Sequence, residues 1–127
     1  MEQKHFVMVH GACHGAWTWY KIKPLLEAAG HRVTMLDMAG AGVNMKAIQE
    51  VKSFVEYSEP LLQAMSCVGP NEKVILVGHS LGGMCLAVAM EKFPHKIAAS
   101  VFVTAFVPDT HHQPSDVIEQ VRNFKQI

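Results

Sequence analysis

Residues 74–94 read VILVGHSLGGMCLAVAMEKFP, an apolar run broken by Gly78-His79-Ser80-Leu81-Gly82-Gly83 and followed by an amphipathic stretch that ends at Phe93-Pro94. This pattern predicts a buried strand that turns sharply into a helix, with Ser80 at the turn. A side chain in such a turn projects away from the sheet. The backbone there is strained, and the neighbours two residues to either side must lack Cβ atoms to avoid clashing, which Gly78 and Gly82 satisfy. The N–H of Leu81 lies at the start of the helix, where the helix dipole favours developing negative charge. The alternative reading is a phosphate-binding loop, but that needs Lys after its last glycine, and Met84 follows instead.

The rest of the chain alternates in the same way. Residues 5–10 (HFVMVH), 31–37 (HRVTMLD), 73–78 and 97–105 (IAASVFVTA) read as strands. Residues 17–29, 45–66 and 81–92 read as helices, the first ended by Gly30 and the second divisible at Pro60. Residues 39–43 form a loop, and Gly69-Pro70-Asn71 a turn. Strands that are apolar along their length and separated by helices imply an α/β fold, a parallel sheet covered on both faces. From Pro108 onward the chain turns polar, with a short helix near 115–124 and no further strand. The strand at 97–105 is therefore expected to leave an open edge.

At 127 residues the chain suits one domain with a real core. Lys plus Arg and Asp plus Glu balance at 11 each, which removes the electrostatic footprint of a nucleic-acid or anionic-membrane binder. Three cysteines (Cys13, Cys67, Cys85) lack zinc-ligand spacing and suit free thiols in a reducing compartment. The apolar run near the N-terminus spans only Phe6 to Val9, too short for a signal peptide core, and no stretch reaches transmembrane length. The expectation is a cytoplasmic protein without a cofactor or metal. A dinucleotide site is discounted, because Gly40-Ala41-Gly42 lacks the G-x-G-x-x-G spacing.

A second motif, His10-Gly11-Ala12-Cys13-His14-Gly15, directly follows the first strand. In folds with a Ser elbow this loop supplies the second N–H of an oxyanion hole, and Ala12 is the expected donor. HFVMVHGACHGAWTWYKIKPLLEAAGH, TMLDMAGAGVN, EKVILVGHSLGGM, AMEKFPHKI and FVPDTHH together resemble the plant methylesterase branch of the α/β-hydrolases, to about Gln120. That branch includes the salicylate-binding methylesterase, polyneuridine aldehyde esterase and hydroxynitrile lyase groups. The resemblance implies hydrolysis of methyl esters of small hydrophobic carboxylic acids, such as plant hormone esters, through an acyl-enzyme. Carried over residue by residue, Ser80 is the nucleophile, Ala12 and Leu81 give the oxyanion N–H groups, and Gly11, His14 and His79 lie against the substrate. The lyases of the group carry Thr in place of Gly11 and Cys in place of Leu81, and depend on a downstream Lys, so cyanohydrin cleavage is the weaker implication. Full-length relatives imply a possible homodimer.

The branch places its acid, its His and its cap beyond the residues present here. Residues 1–127 are therefore expected to be the N-terminal part of one α/β-hydrolase core, with 108–127 the start of a cap region or an aberrant tail. Most of the substrate pocket is expected to belong to that cap. The chain would then be a truncated or splice form, catalytically incompetent, at most binding a ligand or pairing with a full-length homologue. Local substitutes for the missing groups are Asp109 as acid and His111 or His112 as base, but the resemblance implies structural roles for Pro108-Asp109 and a nearby His. Asp37 is expected to hold a loop, Trp19 to pack helix on sheet, and Cys13 and Cys85 to act as small packing residues.

Overall fold

The computed structural model describes residues 2–124. Among these, four parallel strands form one sheet: β1 (His5–Val9), β2 (Arg32–Leu36), β3 (Val74–His79) and β4 (Ile97–Val103), in the order β2-β1-β3-β4. The helices are α1 (Ile22–Ala28), α2 (Phe54–Tyr57), α3 (Glu59–Ser66), α4 (Gly82–Lys92) and α5 (Pro114–Phe124). Short 3-10 turns cover Ala16–Trp19, Ile48–Glu50 and Pro94–Lys96.

Strand alternation sorts the apolar runs onto two faces. Val7 and Val9 of β1 and Val74 and Leu76 of β3 join Leu61 and Met65 of α3 and Leu86 and Ala89 of α4 in the larger core. Met8 and Val77 face the other way, with Trp19 and partly buried Leu26 of α1. Both faces of the central strands are thus covered, which is why β1 and β3 are apolar at nearly every position.

Three elements differ from the sequence reading by more than one residue at a boundary, each for a local reason. The 17–29 helix is interrupted, because Pro24 sits in the first turn of α1, where its missing N–H costs nothing and its ring prevents continuation from the preceding turn. The 45–66 segment becomes helical only from Phe54. Ser53 Oγ accepts the Glu56 N–H at 3.1 Å and starts α2, and Pro60 makes the chain restart as α3. The last strand ends at Val103 rather than residue 105, since Thr104 adopts a left-handed backbone (φ 45°). That turn carries Ala105 and Phe106 back across the C-terminal end of β3.

The free edge of β4 has no strand partner among the described residues. Residues 125–127 of the expected tail lie outside the described residues; the helix expected near 115–124 is present as α5.

Candidate active site

Ser80 occupies the turn between β3 and α4 with φ 53°, a left-handed conformation that a serine adopts only under constraint. Its surroundings supply that constraint. The Ser80 carbonyl accepts two N–H groups, from Gly83 at 3.1 Å and from Phe106 at 3.0 Å. A Cβ added at Gly78 would stand 3.1 Å from the Gly82 carbonyl carbon, and one at Gly82 would stand 2.7 Å from the Val9 carbonyl oxygen. The end of β1, the end of β3 and the start of α4 meet here at backbone contact. Only glycine at 78 and 82 allows this.

The loop after β1 closes over the same point. A Cβ at Gly11 would lie 3.1 Å from Ser80 Cβ and 3.2 Å from His79 Nδ1, so Gly11 rests against both residues. His10 is fully buried and holds the loop's origin. Its Nε2 accepts the Met38 N–H at 3.0 Å, which leaves Nδ1 as the protonated nitrogen donating to the Gly11 carbonyl at 2.7 Å. Burial pushes the His10 pKa down, consistent with a neutral ring spent at both nitrogens. Beyond it, His14 Nδ1 lies 2.7 Å from the Ala12 carbonyl, its ring stacks on Trp17, and Cys13 takes φ 61°. Asp37 Oδ1 accepts the Ala16 N–H at 2.8 Å and lies directly against Gly42, so this carboxylate ties the loop after β1 to the loop after β2. It holds a loop, as its strand-end position suggested.

The turns leave two backbone donors unspent. Neither the Ala12 N–H nor the Leu81 N–H has a protein acceptor among the described residues. Both residues border a pocket of about 680 Å3, walled on the far side by Gly40–Gly42 and by Ile48, Val51, Phe54 and Tyr57. His14 and Cys13 also line it; Gly11, His79 and Ser80 are not among the lining residues. The far wall is a contribution that sequence reasoning missed, having assigned most of the pocket to a cap. A signal was present in that Ile48, Val51, Phe54 and Tyr57 recur every third residue, although they fall on a 3-10 turn, an extended link and a short helix.

Among the described residues, the imidazoles of His5, His10, His14, His31 and His112 hydrogen-bond groups other than the Ser80 hydroxyl. The candidates near the C-terminus are engaged with one another. Asp109 Oδ1 accepts the N–H groups of His111 and His112 at 2.8 Å each, and its Oδ2 lies 2.6 Å from His112 Nδ1. The His112 ring holds the Asp109 carboxyl below its usual pKa, and the carboxylate raises that of His112. The described residues hold no group of three His, Cys, Asp or Glu side chains arranged for a metal.

A strained Ser stands at a strand-to-helix turn, packed against a glycine loop after the first strand, and the chain that carries it is similar to known proteins over nearly its whole length. Residues 4–126 match the family model for the alpha/beta hydrolase fold. The chain belongs to this family. The match runs past Gln120, where the residue-level resemblance was expected to end. Salicylic acid-binding protein 2 of Nicotiana tabacum is 59% identical over 119 residues, covering 94% of this chain and 46% of that protein. Methylesterase 2 of Arabidopsis thaliana is 60% identical over 120 residues, again 94% and 46%. The crystal structure of polyneuridine aldehyde esterase superposes with a TM-score of 0.95 at 50% identity, covering 97% of this chain and 48% of that one. The chain therefore spans about half the length of these relatives. No described helix of this α/β-hydrolase chain is long and apolar enough to cross a membrane.

Proposed function

We propose that this chain carries the nucleophile and oxyanion half of a serine carboxylesterase acting on methyl esters of small hydrophobic carboxylic acids, plant hormone esters among them. The observation that carries the reading is the strained Ser80 turn held against Gly11, with the Ala12 and Leu81 N–H groups left unspent beside it. In this scheme Ser80 Oγ adds to the ester carbonyl while a base takes its proton. The carbonyl oxygen becomes an oxyanion that accepts from the two N–H groups. Collapse breaks the bond to the methoxy oxygen, which takes the proton back from the base and leaves as methanol, and an acyl group remains on Ser80; water then releases the acid and restores the hydroxyl. The relatives' further half would supply the base and its acid. The apolar wall of Ile48, Val51 and Phe54 suits a hydrophobic acyl body. His14 lines that pocket, and Gly11 rests against Ser80 and His79. Three cysteines without a disulfide suit the cytoplasm.

A second reading rests on a different observation. The Asp109–His112 pair is turned on itself, and the His10 and His14 rings are spent on backbone carbonyls. The 127 residues alone would then bind an ester without turning it over, or would pair with a longer homologue. Cyanohydrin cleavage is disfavoured by Gly11 and Leu81. The deciding experiment is hydrolysis of a small activated ester by the 127-residue chain beside its Ser80→Ala variant. Turnover that vanishes with Ser80→Ala supports catalysis from within these residues or a second copy. Absence of Ser80-dependent turnover here, and in a longer protein carrying the same residues, would overturn the esterase reading.

A further inference from the structure

His10 ties together two loops that lie beyond the end of the sheet. The β1–β2 pairing stops at Val9 and Leu36, and each chain then leaves its strand as a loop. Among the described residues, two side-chain hydrogen bonds join these loops: the Met38 N–H donates to His10 Nε2 at 3.0 Å, and the Ala16 N–H donates to Asp37 Oδ1 at 2.8 Å. Both loops line the pocket, through Ala12, Cys13 and His14 on one and Gly40, Ala41 and Gly42 on the other.

The His10 tie holds only for a neutral ring. Nε2 accepts the Met38 N–H while Nδ1 carries the proton and donates to the Gly11 carbonyl at 2.7 Å. A second proton makes both nitrogens donors, so Nε2 and the Met38 N–H would face each other as two donors. Turning the ring gives no relief, and full burial keeps water from solvating the charge in place. Burial is the strongest influence on the ring and pushes its pKa below 6.5. The Gly11 carbonyl and Asp37, just past β2, pull it up, and His14 on the same loop pushes it down. From β3 and α4, the residues nearest this point are His79, against Gly11, and Gly82, against the His10 carbonyl.

We propose that His10 is an acid-sensitive latch, whose protonation frees the 10–16 loop from the 37–44 loop and opens the pocket they share while the four strands stay paired. A released ring takes its proton at about pH 6.5, whereas the latched ring takes it only at lower pH. Closure is therefore fully present above about pH 6.5 and weakens below it. Local opening costs the two ties and none of the strand pairing, so it is easier than unfolding. The latch acts on the loops whether or not Ser80 is a nucleophile.

The test is amide hydrogen exchange of the isotope-labelled chain, read by NMR at about pH 7.5 and about pH 5.5 and corrected for the intrinsic rate at each pH, for the native sequence and for His10→Gln. Glutamine offers an acceptor and a donor to the same two partners but does not titrate. At both pH values the Met38 and Ala16 amides are expected to open at least about tenfold more often than those of Met8 and Val77 in the sheet. Opening of the two loop amides is expected to rise about tenfold from the higher to the lower pH in the native chain, and less than about twofold in His10→Gln. Loop amides that open no more often than the strand amides, an opening that does not rise in acid, or an equal rise in both proteins overturns the latch. If His10→Gln fails to fold, the native ring decides. A His10 ring signal that titrates below about pH 6.5 in step with loop opening supports the latch, and one that titrates at or above it, or out of step with opening, overturns it.

Discussion

The N–H of Phe106 donates to the carbonyl of Ser80 across 3.0 Å, so the chain leaving β4 is fastened to the turn that carries the hydroxyl. The fastening depends on Gly83. A Cβ built there would stand 2.0 Å from the Phe106 carbonyl oxygen and 3.0 Å from Ala105 Cβ. Both are parts of a backbone crossing with little room to retreat. Gly83→Ala is therefore expected to push the 104–106 segment off the turn and to cost roughly 1–3 kcal/mol, as overpacking does. Urea unfolding of the variant beside the native chain measures this. A loss below about 0.5 kcal/mol would mean that the crossing yields freely.

Strain at Ser80 has an opposite signature. A non-glycine residue at φ 53° costs on the order of 1–3 kcal/mol, whereas glycine loses about 0.5–1 kcal/mol more backbone entropy on folding. Strain outweighs the entropy. Ser80→Gly is expected to raise stability by roughly 1 kcal/mol and to abolish all Ser80-dependent ester chemistry. Chemical denaturation and an ester assay on one preparation read both. A destabilised Ser80→Gly chain would show that the hydroxyl or Cβ makes a contact worth more than the strain.

Much of this arrangement was legible beforehand because it rests on local rules. The spacing of Gly78, Ser80 and Gly82 between an apolar strand and an amphipathic helix has one physical solution, and the sheet follows from runs such as Phe6–Val9 and Val74–Val77. Pro60 marked the α2–α3 break for the same reason. The early end of β4 was not legible, since Thr104 is a strand former, and its φ of 45° goes with a tertiary contact, that of Phe106 with Ser80. Nor was the pocket wall: Ile48, Val51, Phe54 and Tyr57 recur every third residue, but a 3-10 turn, an extended link and a short helix share the segment, so the recurrence did not read as one element.

His10 makes folding sensitive to acid. Its Nε2 accepts the Met38 N–H, so protonation there would set two donors face to face in a fully buried site. The folded-state pKa accordingly lies below the ordinary value of 6.5, and burial is the main cause. The unfolded chain binds the extra proton first as pH falls. This contribution to stability is thus fully present above about pH 6.5 and declines below it. Urea midpoints between about pH 7.5 and 5 should fall for the native chain. His10→Gln should start lower and change less over that window. Parallel profiles for the two proteins would remove His10 as the source.

The last prediction concerns β4. Its outer edge has no strand partner among the described residues, and Val101 and Val103, two residues apart and therefore on one face, are 44% and 42% exposed. An unpaired edge beside an apolar face is a template for pairing with another copy. Prepared as these 127 residues, the protein is expected to self-associate with rising concentration. Lysine at both positions (Val101→Lys with Val103→Lys) should suppress this, because two charges on that face oppose a second sheet without touching the Ser80 turn. Light scattering coupled to gel filtration gives the mass of each form. A native chain that stays monomeric at all concentrations, or a lysine variant that associates as strongly as the native chain, would show that β4 is not the adhesive surface.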